Sequence, residues 1–211
     1  MASKTVTIFG GSGFLGRHLV KRLAGDDWTI RVAVRHPHRA AFLKPMGDVA
    51  QIVPIASDVK DEESVAAAVA GSEAAVNLVG ILYQRGRQTF EAVHAEGARR
   101  VAEAAREAGA KRLVHVSALG ADSGSPSLYA RSKAAGEAAV SEAFEHATIV
   151  RPSVVFGPED AFFNRFAALA RLLPVLPLFG GGTVRLQPVY VGDVADGLAR
   201  ILTDPAAAGK T

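Results

Sequence analysis

The stretch Thr5-Val-Thr-Ile-Phe-Gly10-Gly11-Ser12-Gly13-Phe14-Leu15-Gly16-Arg17-His18-Leu-Val-Lys-Arg-Leu23 restricts the fold more than any other part of the chain. A β-branched run meets glycines at 10, 13 and 16 and passes into an apolar pattern with helical spacing, which reads as strand, tight turn and helix. Glycine removes Cβ where the chain must turn sharply, where a ligand's pyrophosphate approaches the backbone, and where helix and strand pack closely. The unpaired N–H groups of the helix's first turn then face an anion. An ordinary strand-to-helix turn is the plain alternative. The strand before and the helix after favour a dinucleotide site built from Gly10, Gly11, Ser12, Gly13, Phe14, Leu15 and Gly16. A Walker-type phosphate loop is excluded, because no Lys-Ser/Thr follows Gly16 and Asp204 stands where the first glycine before Gly209-Lys210-Thr211 should be.

The rest of the chain repeats this alternation. Trp28 to Arg35 predicts a buried strand, Pro37 opens a short helix running to Lys44, and Gln51 to Ile55 predicts a third strand. Asp61 caps a helix with Glu62 and Glu63 in its first turn and Gly71 at its end, and Ala74 to Val79 is the fourth strand. The spacing of Phe90, Val93, Gly97, Val101, Ala104 and Ala108 predicts one long helix over 88–108. Arg112 to Ser117, a helix from Pro126 to Phe144, and Ala147 to Arg151 follow, the last strand stopped by Pro152. Strands alternating with helices at this rhythm predict an α/β, doubly wound parallel sheet with its ligand at the strands' carboxyl ends, where the first and fourth strands diverge. Beyond Gly157-Pro158 the texture changes to a helix from Phe162 to Leu173, then Pro174, Pro177 and Gly180 to Gly182, then Gln187 to Asp193 leading into a last helix. The expected organisation is a nucleotide-binding core over 1–157, a substrate-side excursion over 158–182 and a return to the core over 183–203, while 204–211 is the start of a truncated carboxyl-terminal region only as the family resemblance given below implies.

With 211 residues, 49% of them hydrophobic, the chain can bury one domain and begin another. The longest apolar stretch, Ala74 to Tyr83, is interrupted by Asn77 and Gly80 and falls short of the roughly 20 residues that span a bilayer. Met1 to Lys4 leads straight into the first strand with neither a signal core nor a presequence, so a cytoplasmic location is expected. The absence of cysteine excludes disulfides and thiolate catalysis, and six scattered histidines without partners at ligand spacing argue against a metal. A net charge of +3, spread among acids, argues against a nucleic-acid partner.

Two constellations carry chemistry. From Trp28 to Gly47 there is no Asp or Glu, so the acid that would bind an adenosine ribose is missing and Arg35 stands in its place, among His36, His38, Arg39 and Lys44. A guanidinium there matches a 2′-phosphate, which favours NADP(H) over NAD(H); the alternative is a solvated basic loop. Arg17 adds a phosphate contact or is a surface arginine. In the second constellation Tyr129 and Lys133 lie one helical turn apart, twelve residues after Ser117 at a strand end. A nearby ammonium would lower the tyrosine pKa for proton exchange, the serine hydroxyl would steady a substrate oxygen, and Lys133 would also hold the nicotinamide ribose. The nicotinamide is expected between Tyr129 and Pro152-Ser153-Val154.

The Gly-x-x-Gly-x-x-Gly spacing resembles the extended and atypical branches of the short-chain dehydrogenase/reductases, which have a Rossmann fold. On that resemblance Asp58, with Val59 beside it, meets the adenine amino group, and Asn77-Leu78-Val79-Gly80 lines ribose and nicotinamide. Val93-His94-Ala-Glu-Gly97 departs from the pattern, since extended reductases carry asparagine where His94 stands; a buried, hydrogen-bonded helix histidine is the plain reading. Lys44-Pro-Met-Gly-Asp48, His115-Val-Ser117, Gly136-Glu137, Phe156-Gly-Pro-Glu-Asp160 followed by Phe163-Asn164-Arg165-Phe166, and Gln187-Pro-Val-Tyr-Val191 are similar to the Rossmann-type accessory subunit of respiratory complex I and its bacterial relatives. This resemblance implies tight NADPH binding that stabilises the peripheral arm, complex I subunits as partners, and a position at the cytoplasmic face of the inner membrane. The alternative is a free NADP-dependent oxidoreductase, epimerase or dehydratase acting on a small carbonyl or sugar-nucleotide-like substrate, favoured by Ser117, Tyr129 and Lys133. An NADP(H)-sensing regulator is disfavoured, because such proteins lack the tyrosine.

Overall fold

The computed structural model describes residues 4–172, 183 and 185–211. Six parallel strands form the central sheet: β1 (Lys4–Phe9), β2 (Trp28–Val34), β3 (Ile52–Ala56), β4 (Ala74–Asn77), β5 (Arg112–Val116) and β6 (Thr148–Val150). Their order is β3-β2-β1-β4-β5-β6, so the chain reverses direction across the sheet between β1 and β4 and opens a crevice there.

Both faces of the sheet are covered, as parallel strands require. Val6 and Ile8 point to one face and pack with Leu19 and Leu23 of α1 (Phe14–Ala24) and Leu198 and Leu202 of α6 (Val191–Thr203). Phe9 and Ala75 point to the other. There they meet Val65 of α2 (Glu62–Val69), Val101 of α3 (Glu96–Glu107) and Val140 of α4 (Leu128–Ala143). Beyond β6 lie α5 (Phe163–Leu172) and a two-stranded parallel sheet of β7 (Val155–Phe156) and β8 (Val189–Tyr190). Pro174, Pro177 and Gly180 to Gly182 lie outside the described residues.

Several elements differ from their sequence patterns. Pro37–Met46 is a 3-10 segment with Pro45 inside it rather than an α-helix. β4 stops at Asn77, two residues early, because the Asn77 side-chain oxygen accepts the Val79 N–H at 3.0 Å. Asp61 occupies the N-cap of α2, but its carboxylate makes no cap bond; Ser64 Oγ donates to the Asp61 carbonyl instead. The predicted single helix over 88–108 is a π-turn at Glu91–Ala95 followed by α3. A π-turn adds one residue to a turn, which apolar spacing does not register, and it brings His94 into the interior at 1% exposure. Asp160 accepts N–H bonds from Phe162, Phe163 and Asn164 at the start of α5. Burial would raise its carboxyl, but these bonds outweigh that and hold it below its ordinary pKa.

Candidate nucleotide site

The turn after β1 is tightly determined. Gly10 has φ of 79°, a left-handed conformation open to glycine, and its carbonyl accepts the Gly13 N–H at 3.0 Å. A Cβ at Gly16 would stand 2.5 Å from that carbonyl, so the missing side chain lets α1 sit against the turn. Gly11 packs on Ile8 and Val32 beneath it. Leu15 joins the core, while Phe14 lies edge-on to His18. Gly13 is the N-cap of α1 and brings no side chain to cap the first-turn N–H groups, which leaves them to an anion.

Ser12, Gly13 and Gly10 line a cleft of about 370 Å³ at the divergence of β1 and β4, opposite Leu78, Val79, Gly80 and Ile81. Arg35, His36 and Arg39 form its far end with Asp58 and Val59. Two further groups there carried no signal in the sequence. Gln88, with its amide oriented to satisfy its neighbours, accepts from Arg35 at 3.0 Å and Lys60 at 3.1 Å, which steadies the arginine in the cleft. Ser57 Oγ lines the same space, buried and without a partner. Asp58 Oδ1 accepts the Lys60 N–H at 3.0 Å, and Lys60 Nζ lies 3.6 Å from its other oxygen. Arg17 lies over the Phe42 ring at 5.1 Å and 4.0 Å from Glu159, with its Nε buried and unpartnered. Glu159 also bonds His18 at 3.1 Å; that hydrogen bond holds its carboxyl below the ordinary value and ties the segment after β7 to α1.

Asn77, expected against the ribose, is 1% exposed and spends its amide inside the protein. Its oxygen holds Val79, so Nδ2 donates to His115 Nδ1 at 3.2 Å. Asn77 therefore shapes the Leu78–Gly80 wall from beneath.

Ser117, Tyr129 and Lys133 lie at the carboxyl end of β5 and on the first turns of α4, whose N-cap Ser127 accepts the Ala130 N–H. Ser117 Oγ is buried without a partner. Lys133 is 3% exposed, donates to the Val116 carbonyl at 2.8 Å, and is lowered to a pKa of about 8 by burial, against the pull of Glu137. Burial raises the Tyr129 phenol above its ordinary value. That is the reverse of the lowering expected from an adjacent ammonium: the lysine is bound to a backbone carbonyl and desolvation of the phenol dominates. Pro152, Ser153 and Val154 run past this end, with the Pro152 and Val154 carbonyls accepting from Leu119 and Val189 at 3.0 Å each.

An uncapped helix start, a cleft at the sheet's reversal point, a basic end, and buried orphan hydroxyls at Ser57 and Ser117 fit a nicotinamide dinucleotide. Among the described residues no cluster of three or more His, Cys, Asp or Glu could hold a metal.

The chain is 41% identical over 97% of its length to "NADH dehydrogenase (ubiquinone) 1 alpha subcomplex subunit 9, mitochondrial" of Arabidopsis thaliana and 40% identical to the mouse protein of that name. It spans about half the length of these relatives, 52% and 55%. A "Ceramide reductase" of Caulobacter vibrioides is 38% identical over 97% of this chain and 62% of its own. Among solved structures, a short-chain dehydrogenase/reductase superfamily protein of Agrobacterium tumefaciens with bound NAD matches with a TM-score of 0.74 at 22% identity, over 98% of this chain and 76% of that one, and so shares the fold. The model of the NAD dependent epimerase/dehydratase family matches residues 6–211, and the chain belongs to that family.

Proposed function

We propose that this protein holds NADP(H) as an accessory subunit of respiratory complex I. The observation that carries the nucleotide half is a cleft with the uncapped start of α1 on its wall and Arg35 at its far end. The turn from Gly10 to Gly16 would take the pyrophosphate, with Arg17 beside it. Arg35 would take the 2′-phosphate, Asp58 and Val59 the adenine, and Leu78, Val79 and Gly80 the middle of the molecule. Tyr129, Lys133 and the Pro152-Ser153-Val154 segment would border the nicotinamide, whose bound form supplies hydride chemistry. The relatives that are respiratory NADH dehydrogenase subunits support the assembly half, with attachment to the membrane through protein partners.

A charge-assisted contact of Arg35 with a 2′-phosphate is worth about 1.5–3 kcal/mol, or roughly 10- to 150-fold in affinity. Calorimetry should therefore show NADPH binding more tightly than NADH by a factor in that range, and Arg35→Asp should reverse the order. Equal affinity of the unaltered protein for both nucleotides would remove the basis for the preference.

A nucleotide at a hundredfold excess over Kd adds about 2.7 kcal/mol of stability, which would firm a docking surface. Gly13→Val, which puts a branched side chain into the cleft wall, should lower the amount of assembled complex recovered from native membranes. Tyr129→Phe should leave NADH oxidation by that complex nearly unchanged. A free reductase is the second reading, favoured by the presence of Ser117, Tyr129 and Lys133 at the end of β5 and the start of α4 and by the Caulobacter relative. A native protein that migrates alone and oxidises NADPH with an added carbonyl compound would establish it in place of the first.

A further inference from the structure

We propose that His94 is a positioning residue that clamps the Gly80–Ile81 turn to α4 at Tyr129 and so sets the nicotinamide half of the cleft. The inference rests on the nucleotide reading above and deepens it. His94 Nε2 accepts the Ile81 N–H at 2.9 Å, and His94 Nδ1 lies 2.8 Å from Ser132 Oγ. Ser132 in turn donates to the Tyr129 carbonyl at 2.7 Å. A backbone N–H can only donate, so Nε2 carries the lone pair and the ring proton sits on Nδ1. Ser132 has committed its own proton to Tyr129, so its oxygen is free to accept from the ring. Every donor in the chain Ile81, His94, Ser132, Tyr129 therefore points the same way, and one tautomer satisfies all of it.

Packing holds the ring in this orientation. Phe90 stacks on it with centroids 5.3 Å apart and planes 20° from parallel, and the Tyr129 ring stands edge-on at 5.5 Å. Burial, with the charge of Lys133, lowers the His94 pKa to about 4, so the ring stays neutral at physiological pH. Gly80 and Ile81 line the cleft on one side of this clamp, and on the other the clamp ends at the Tyr129 backbone, whose ring packs edge-on against His94.

The test compares two ligands on the purified full chain: NADPH, and 2′-phospho-ADP-ribose, which keeps the adenosine and pyrophosphate but lacks nicotinamide. His94→Phe keeps the stacked ring and removes both nitrogens. It should weaken NADPH about tenfold, the worth of one buried hydrogen bond, and leave 2′-phospho-ADP-ribose within about twofold. His94→Gln, which can still accept from Ile81, should recover most of the loss. Ser132→Ala, at the far end of the clamp, should give the same selective weakening and decides the matter if His94→Phe does not fold. Equal weakening of both ligands, unchanged NADPH binding, or a glutamine variant no better than phenylalanine overturns the clamp. If the unaltered protein binds neither ligand, the nucleotide reading falls and the clamp with it; if it binds both and the variants are not selective, the clamp alone falls.

Discussion

Lowering the pH from 7 to 5 is expected to remove about 4 kcal/mol of folding stability, from two buried histidines together. His94 is lowered from 6.5 to a pKa of about 4 by burial and by Lys133, and His115 to about 3 by burial, by Lys133 and by His94. Each is 1% exposed. In the unfolded chain both titrate near the ordinary histidine value, so between these limits the unfolded state binds more protons than the folded one. The stability they contribute is fully present above pH 6.5 and is lost as the pH falls toward the folded values. At pH 5 each histidine accounts for about 2 kcal/mol, because the folded rings are still neutral while the unfolded ones are charged. With an m-value of about 2 kcal/mol/M, the urea midpoint should fall by about 2 M. His94→Gln should roughly halve that drop. A midpoint that does not move between pH 7 and 5 would mean that the histidines are hydrated and charged in the native state.

Gly136→Ala should destabilise the protein by about 3 kcal/mol, although alanine in place of glycine within a helix ordinarily stabilises by up to about 1 kcal/mol. The sign reverses because a Cβ at Gly136 of α4 would run into the carbonyl oxygen of His94. That oxygen belongs to the π-turn backbone, which cannot retreat as a flexible side chain would. The melting temperature should fall by roughly 10 °C for a chain of this size. Gly197→Ala is the control: it lies in α6, where a Cβ would meet nothing within 4 Å, and the same change should be neutral or stabilising. A Gly136→Ala protein that melts at or above the parent temperature would show that α4 and the π-turn can separate at little cost.

What could be read in the sequence is what depends on neighbours along the chain. The turn at Gly10, the strand-and-helix rhythm and the one-turn spacing of Tyr129 and Lys133 are short-range patterns, set by backbone sterics and side-chain period. They sufficed for the α/β class, the parallel sheet and the end of it at which the cleft opens. The same patterns misjudged β4 and the helix after it, since Asn77 capping its own strand and the extra residue in the π-turn leave apolar spacing nearly unchanged.

The site's electrostatics and its supports were decided by contacts between residues far apart in the chain. Lys133 reaches the Val116 carbonyl, His94 joins Ile81 to Ser132, Gln88 steadies Arg35, and Glu159 closes onto His18 of α1 across 141 positions. The Tyr129 pKa moves opposite to the motif's expectation because desolvation depends on everything packed around the phenol. Sequence by itself determined the order of strands and helices and placed the glycine turn and Ser117 at strand carboxyl ends. Only the tertiary structure decided their protonation and hydrogen-bond direction, because burial and partner geometry arise when segments with no local relation pack together.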